Sequence, residues 1–181
     1  MTDCVLCGSK EFSILYQGKI RKGVFRSQTS DSHEVIKCKG CGLVRLKENP
    51  LSMAYYQSEE YREDYNETSE ASSYIEMHDN EQGPRLDHIG ADKFRDKLVL
   101  DYGCGGGAFL DLISGLSSST LGIEPFTGFH KSLNSRGHSI YASKDDALKD
   151  FKGEIDTIVS FGVLEHIEDP LDYLIGARSL L

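Results

Sequence analysis

From Lys97 to Leu181 short apolar runs alternate with helix-length segments. Leu98-Val99-Leu100, Leu121-Gly122-Ile123 and Ser139-Ile140-Tyr141 read as strands, and Ile155 to Phe161 as a fourth, centred on Asp156-Thr157-Ile158-Val159-Ser160. A helix from Ala108 to about Leu116 follows the first strand. This β-α-β alternation predicts an α/β fold, a parallel sheet with helices on both faces and about four strands in the stretch to Leu181.

Upstream the pattern changes. Glu67 to Asn80 and Pro84 to Phe94 predict two helices, the second opened by Pro84, whose missing N–H costs nothing in a first turn. Leu86, Ile89 and Phe94 recur at roughly helical intervals and are expected to dock on the sheet. Pro50 to Tyr65 is rich in tyrosine and acid, with Tyr55, Tyr56, Tyr61 and Tyr65 close together. These rings are read first as packing between two parts of the chain; the alternative is that Tyr61 or Tyr65 closes over a ligand. His78 and His88 read as surface histidines. Nearer the N-terminus, His33 to Lys37 and Leu43 to Leu46 predict two short strands about a turn, preceded by a polar excursion from Gly18 to Ser32. The chain thus divides into a small module over 1–48, a tyrosine-rich linker with helices over 49–96, and the first part of an α/β domain over 97–181.

The cysteines decide what the small module is. No stretch approaches the ~18 consecutive apolar residues of a membrane helix, and Met1-Thr2-Asp3-Cys4 lacks the basic-then-apolar layout of a leader, so a cytoplasmic protein without membrane insertion is expected. In that compartment thiols stay reduced, and the five cysteines are ligands or packed thiols. Four of them form two Cys-x-x-Cys-Gly repeats, Cys4-Val5-Leu6-Cys7-Gly8 and Cys38-Lys39-Gly40-Cys41-Gly42. Two thiolates at that spacing curl around one metal, and the glycine tolerates the positive φ that turns backbone amides toward the sulfurs. Cys4, Cys7, Cys38 and Cys41 are therefore the candidate ligands of a structural Zn2+ in a module that resembles a zinc ribbon. Free buried cysteines are the plainer alternative. A redox pair would need one Cys-x-x-Cys between a strand and a helix, which neither repeat offers.

The formal charge of −9 argues against a nucleic-acid partner, since phosphate binding rests on Lys and Arg displacing counterions. Its distribution leaves one opening. Residues 1–60 carry nine basic against seven acidic side chains, and the remainder eleven against twenty-two, so RNA binding, if any, belongs to the small module.

The first parallel strand runs into Asp101-Tyr102-Gly103-Cys104-Gly105-Gly106-Gly107. Glycines there let the chain turn sharply into a helix and let a ligand lie against bare backbone. Gly103-x-Gly105 continuing to Ala108 also satisfies a dinucleotide fingerprint, and Glu124, about twenty residues on at the end of the second strand, could hold ribose hydroxyls in either case. An acid at Asp101, however, is badly placed for a phosphate and well placed for a cationic amino group.

Two motifs carry a resemblance. Leu98-Val99-Leu100-Asp101-Tyr102-Gly103-Cys104-Gly105-Gly106-Gly107 is similar to motif I of the class I S-adenosylmethionine-dependent methyltransferases, and Leu164-Glu165-His166-Ile167-Glu168-Asp169-Pro170 to the segment after their fourth strand. The resemblance covers about Leu98 to Pro170 and implies a Rossmann-like domain. It implies that Asp101 and Gly103, Cys104 and Gly105 line the methionine part of the cofactor, that Glu124 holds the ribose, and that Pro125 with the residues around Asp145 and Asp146 flanks the adenine. Phe161 and Gly162 would lie beneath the sulfonium, with Cys104 a small buried filler. His166 is the candidate general base, its unperturbed pKa near ~6.5 suiting proton removal at neutral pH, or else a residue that caps the loop.

The zinc module followed by a tyrosine-rich bridge further resembles bacterial methyltransferases acting on nucleotide-linked sugars and surface-polysaccharide precursors. A small-molecule acceptor is implied, with RNA methylation and a non-catalytic cofactor-binding role as alternatives. Against the seven strands of a complete domain of that family, four are readable here, so the chain is read as the N-terminal part of such a domain.

Overall fold

The computed structural model describes residues 3–21, 27–48, 55, 58 and 68–181. Two sheets organise them. The first is antiparallel, with β1 (Phe12–Gly18), β2 (His33–Cys38) and β3 (Val44–Leu46) in the order β1-β2-β3. β2 and β3 are the expected pair. β1 is an additional strand, which pairs Phe12 with Cys38 and Gly18 with His33 through an irregularity between Ile14 and Tyr16. Part of the expected excursion is likewise tied down: Arg21 bridges Gln28, and the Thr29 N–H donates to the Ile20 carbonyl at 2.8 Å.

The second sheet is parallel: β4 (Leu98–Tyr102), β5 (Ser119–Ile123), β6 (Ser139–Tyr141) and β7 (Thr157–Val159), in the order β6-β5-β4-β7. The helices between them are α2 (Ala108–Ser114), α3 (His130–Ser135) and α4 (Lys144–Phe151), with α1 (Ala71–Ile89) before the sheet and α5 (Pro170–Leu180) after it. This is the expected Rossmann-like α/β fold. Side chains alternate across β4. Val99 joins Phe94, Phe109, Ile113 and Val159 on the α1 and α2 side, while Leu100 joins Leu121, Ile123, Ala147 and Leu180 on the α4 and α5 side. Period two then puts Asp101 on the face of Val99, at the carboxyl end of the strand. There the strand order reverses, since the chain leaves β4 for β5 and β6 and returns to its other side as β7. Open α/β sheets bind ligands at that crevice.

Two expectations are corrected. The predicted break at Pro84 does not occur: α1 runs unbroken from Ala71 to Ile89 with Pro84 inside it. The residue before a proline normally leaves the helical region because its Cβ meets the ring, but that residue is Gly83. The carbonyl that loses its donor belongs to Asn80, which is exposed and can turn to water. The helix starts at Ala71 because Glu70 caps it, its carboxylate accepting from the Ser72 and Ser73 N–H groups at 3.2 and 2.7 Å. Leu86, Ile89 and Phe94 still dock on the sheet as expected, against Val99 and Val159. β7 is also shorter than the apolar run from Ile155 to Phe161. Only Thr157, Ile158 and Val159 pair with β4, while the Ser160 hydroxyl turns to the Tyr102 carbonyl at 2.8 Å.

Candidate cofactor cleft and four-cysteine cluster

A cleft of about 190 Å³ opens at the carboxyl end of β4. Its floor is Asp101 with Gly103, Cys104 and Gly105, and Phe161 and Gly162 close one side. These six residues were all expected at the site. Gly103 and Gly105 adopt φ of +87° and +53°, and a Cβ on Gly103 would come within 2.4 Å of a Val163 methyl, so the turn requires glycine there. Glu124 and Pro125 do not line the cleft. Glu124 is buried behind the turn, where one carboxylate oxygen accepts from the Gly105 N–H at 2.9 Å and the other from the Phe126 N–H at 2.8 Å. Asp146 is used locally: its N–H donates to the hydroxyl of Ser143, the cap of α4, its carboxylate accepts from that hydroxyl, and it pairs with Lys149. His166, in a 3-10 turn beyond Gly162, is half-buried outside the cleft lining; desolvation lowers its pKa and the charge of Glu165 partly offsets this. The Cys104 thiol is buried and pushed well above the ordinary range by desolvation, with Asp101 adding to the effect, which makes it a filler of the turn.

The opposite wall is a face of α1 that the sequence did not disclose. Tyr74, His78, Gln82 and Arg85, three or four residues apart, point to one side and line the cleft. His78 is therefore a wall residue, contrary to the surface reading. Tyr74 lies over the glycine turn: a Cβ on Gly105 would meet its ring at 2.9 Å. The Arg85 guanidinium stacks over Phe161, 4.6 Å from the ring centre. Tyr61 and Tyr65, either of which is the alternative cover for the ligand, lie outside the described residues.

Behind the turn, Arg136 donates to the Gly106 carbonyl at 2.5 Å and pairs with Asp111 of α2. The other Asp111 oxygen meets His138 Nε2 at 2.8 Å, and His138 Nδ1 meets the Thr120 hydroxyl at 2.7 Å. The glycine turn is thus held from both sides, by Glu124 at one peptide and Arg136 at the next.

What the cleft is built to accept follows from Asp101. Its side chain is buried, and its Oδ1 has no hydrogen-bond partner among the described residues. Burial pushes its pKa up to about 7, the charge of Arg85 acting against this and that of Glu124 with it. A buried carboxyl with one oxygen lacking a donor among the described residues calls for a cationic ligand group. Across the cleft, Arg85 offers donors to an anion. Asp101 and Arg85 fit the ammonium and carboxylate of an amino-acid head, with Glu81 also lining the cleft beside Arg85, and the floor carboxylate opposes a dinucleotide pyrophosphate.

The methyltransferase-domain model matches residues 76–181, over half of the chain. The chain belongs to the methyltransferase-domain family. With its parallel sheet and glycine turn it is a class I, S-adenosylmethionine-type member. Among curated proteins the chain is 27% identical over 101 residues to a ubiquinone biosynthesis O-methyltransferase of Roseobacter denitrificans, covering 52% of this chain and 41% of that protein. Proteins of the same name from Dinoroseobacter shibae and Cereibacter sphaeroides are 27% and 28% identical over 94 residues, covering 49% of this chain and 38% of each relative. The chain spans about two fifths of the length of the curated relatives it matches.

The chain carries its four paired cysteines in one cluster. All four sulfurs lie within 4.8 Å of one another, with Cys4 to Cys41 and Cys7 to Cys38 at 3.6 Å. Gly8 and Gly42 adopt the positive φ expected of them, and their N–H groups close each turn onto the Cys4 and Cys38 carbonyls. The Cys41 N–H leads the interactions that pull the Cys38 thiol down to about 6. Such a set could hold one tetrahedral ion. No helix among the described residues is long and apolar enough to cross a membrane.

Proposed function

We propose that the chain carries the cofactor half of an enzyme transferring a methyl group from S-adenosylmethionine to a small-molecule acceptor, and that Cys4, Cys7, Cys38 and Cys41 hold a structural zinc. The observation that carries the reading is Asp101, a buried carboxyl at the floor of the cleft, its Oδ1 lacking a partner among the described residues, opposite Arg85. S-adenosylmethionine supplies an already activated methyl group for in-line displacement, so the protein's work is alignment and exclusion of water. In this reading Asp101 holds the amino group, Arg85 the carboxylate, and Phe161 with Gly162 the sulfonium end. Glu124 is assigned to the ribose, from its place behind the turn where it fixes the Gly105 peptide, and Pro125 to the adenine side. Cys104 fills the turn. His166 takes the proton from the acceptor, its lowered pKa keeping the imidazole in the neutral form that can accept one at pH 7.

The acceptor atom is proposed to be oxygen, because the relatives are named as O-methyltransferases. A nucleotide-linked sugar or surface-polysaccharide precursor is the finer proposal, resting on the order of cysteine module, tyrosine-rich bridge and cofactor domain; the matched relatives' names do not support it. The cysteine module, the bridge and the domain over 97–181 are proposed as three parts with the boundaries given above, and the cytoplasm as their setting. Methyl-labelled S-adenosylmethionine offered with nucleotide-linked sugars and, separately, with phenolic hydroxyl compounds tests the reading. Label on the sugar supports it; label on the phenol alone moves the acceptor to the chemistry of the relatives; bound cofactor with no label on any acceptor contradicts the enzyme reading.

A further inference from the structure

Arg85 is the carboxylate seat in the reading above, yet its donors already have a carboxylate. Its Nη2 donates to Glu81 at 2.7 Å and its Nη1 to the Gln82 side-chain carbonyl at 3.0 Å. Glu81 and Arg85 both line the cleft with Asp101. A glutamate four residues before an arginine is ordinarily a solvated surface pair that adds little to stability. Here the pair forms part of a cleft wall, so two carboxylates face one guanidinium across the same space. An amino-acid head brings one cation and one anion. Its cation suits Asp101, but its carboxylate meets an arginine fork that Glu81 already occupies, and two carboxylates at one fork repel.

We infer that Glu81 is a stand-in for the cofactor's carboxylate, holding Arg85 in its binding orientation until the ligand displaces it. The side chains allow the exchange. Glu81 is 50% exposed and can swing into water, whereas Gln82 is buried and keeps its hold on Arg85. Gln82 is anchored in turn by donating to the His78 carbonyl at 2.7 Å. Glu81 therefore weakens binding of ligands that carry a carboxylate and leaves others alone, a role that rests on the reading of Arg85.

Calorimetric titration of the 181-residue chain with S-adenosylmethionine and with its decarboxylated analogue, which keeps the amino group, tests this. Glu81→Gln and Glu81→Ala are expected to bind S-adenosylmethionine about two- to fivefold more tightly than the unaltered chain. The same variants should bind the decarboxylated analogue no more tightly. Unchanged or weaker binding of S-adenosylmethionine by both variants would overturn the stand-in, as would an equal gain for both ligands. Arg85→Gln separates the two claims: if it leaves the affinity of the unaltered chain for S-adenosylmethionine intact, the carboxylate seat itself is wrong.

Discussion

The antiparallel sheet over residues 12–46 and the parallel sheet over residues 98–159 keep their shapes by different means. In the parallel sheet, Val99, Leu100, Leu121 and Ile123 are almost wholly buried and packed by helices from both sides. The antiparallel sheet has Ile36 as its buried aliphatic residue among the described ones, with Cys4 and Cys38 beside it, and it exposes Ile14, Leu15, Tyr16 and Val44. A module with so little buried apolar surface needs a cross-link or a metal. In the reading proposed above the four thiols stand in for a core, while the parallel-sheet domain has a core and leaves in its cleft a buried carboxyl whose Oδ1 has no partner among the described residues.

Metal removal breaks the comparison most sharply. Structural zinc in small modules contributes on the order of 10 kcal/mol of folding free energy, so chelation is expected to abolish amide-exchange protection in His33–Cys38 while Leu98–Tyr102 stays protected. Protection retained in both sheets would show that the thiols only pack. Leu121→Ala tests the other side: loss of a buried leucine costs about 2–5 kcal/mol, read as a lower urea midpoint with the metal content unchanged. Arg136→Gln takes donors from Asp111 and the Gly106 carbonyl and is expected to cost about 1–3 kcal/mol. It should also weaken S-adenosylmethionine binding; stability lost at unchanged affinity would make the clamp purely structural. Ile14→Thr, on the exposed face of the antiparallel sheet, should stay within about 0.5 kcal/mol of the parent.

The same contrast governs what could be read in advance. Leu98–Leu100, Leu121–Ile123 and Ser139–Tyr141 were legible because strands of a parallel sheet, covered on both faces, are apolar runs. The reading overran at β7, where the apolar sequence continues past the pairing. β1 gave no signal, since its irregularity between Ile14 and Tyr16 and its exposed apolar side chains remove the alternation that marks a strand. The glycine turn and Asp101 were legible from residue type and order. Tyr74, His78, Gln82 and Arg85 were not, because a polar helical face looks the same whether it meets water or a ligand, and Pro84 disguised the continuity of α1. Asp111, Arg136 and His138 stand apart in sequence, and only the fold brings them together.

In the proposed function the buried Asp101 carboxylate seats a cationic amino group. With its pKa raised to about 7 in the ligand-free protein, against about 4 in an unfolded chain, Asp101 binds its proton more tightly when folded. Its contribution to stability is therefore present below about pH 4 and lost as the pH rises toward 7. Binding a cation requires the ionised form and runs the other way. The decisive measurement is the affinity for S-adenosylmethionine between pH 6 and 8 in the unaltered chain and in Asp101→Asn. The account predicts affinity that climbs with pH toward about 7 in the former, and binding at least roughly tenfold weaker without that climb in the latter. Equal affinity and the same pH profile in both would contradict it.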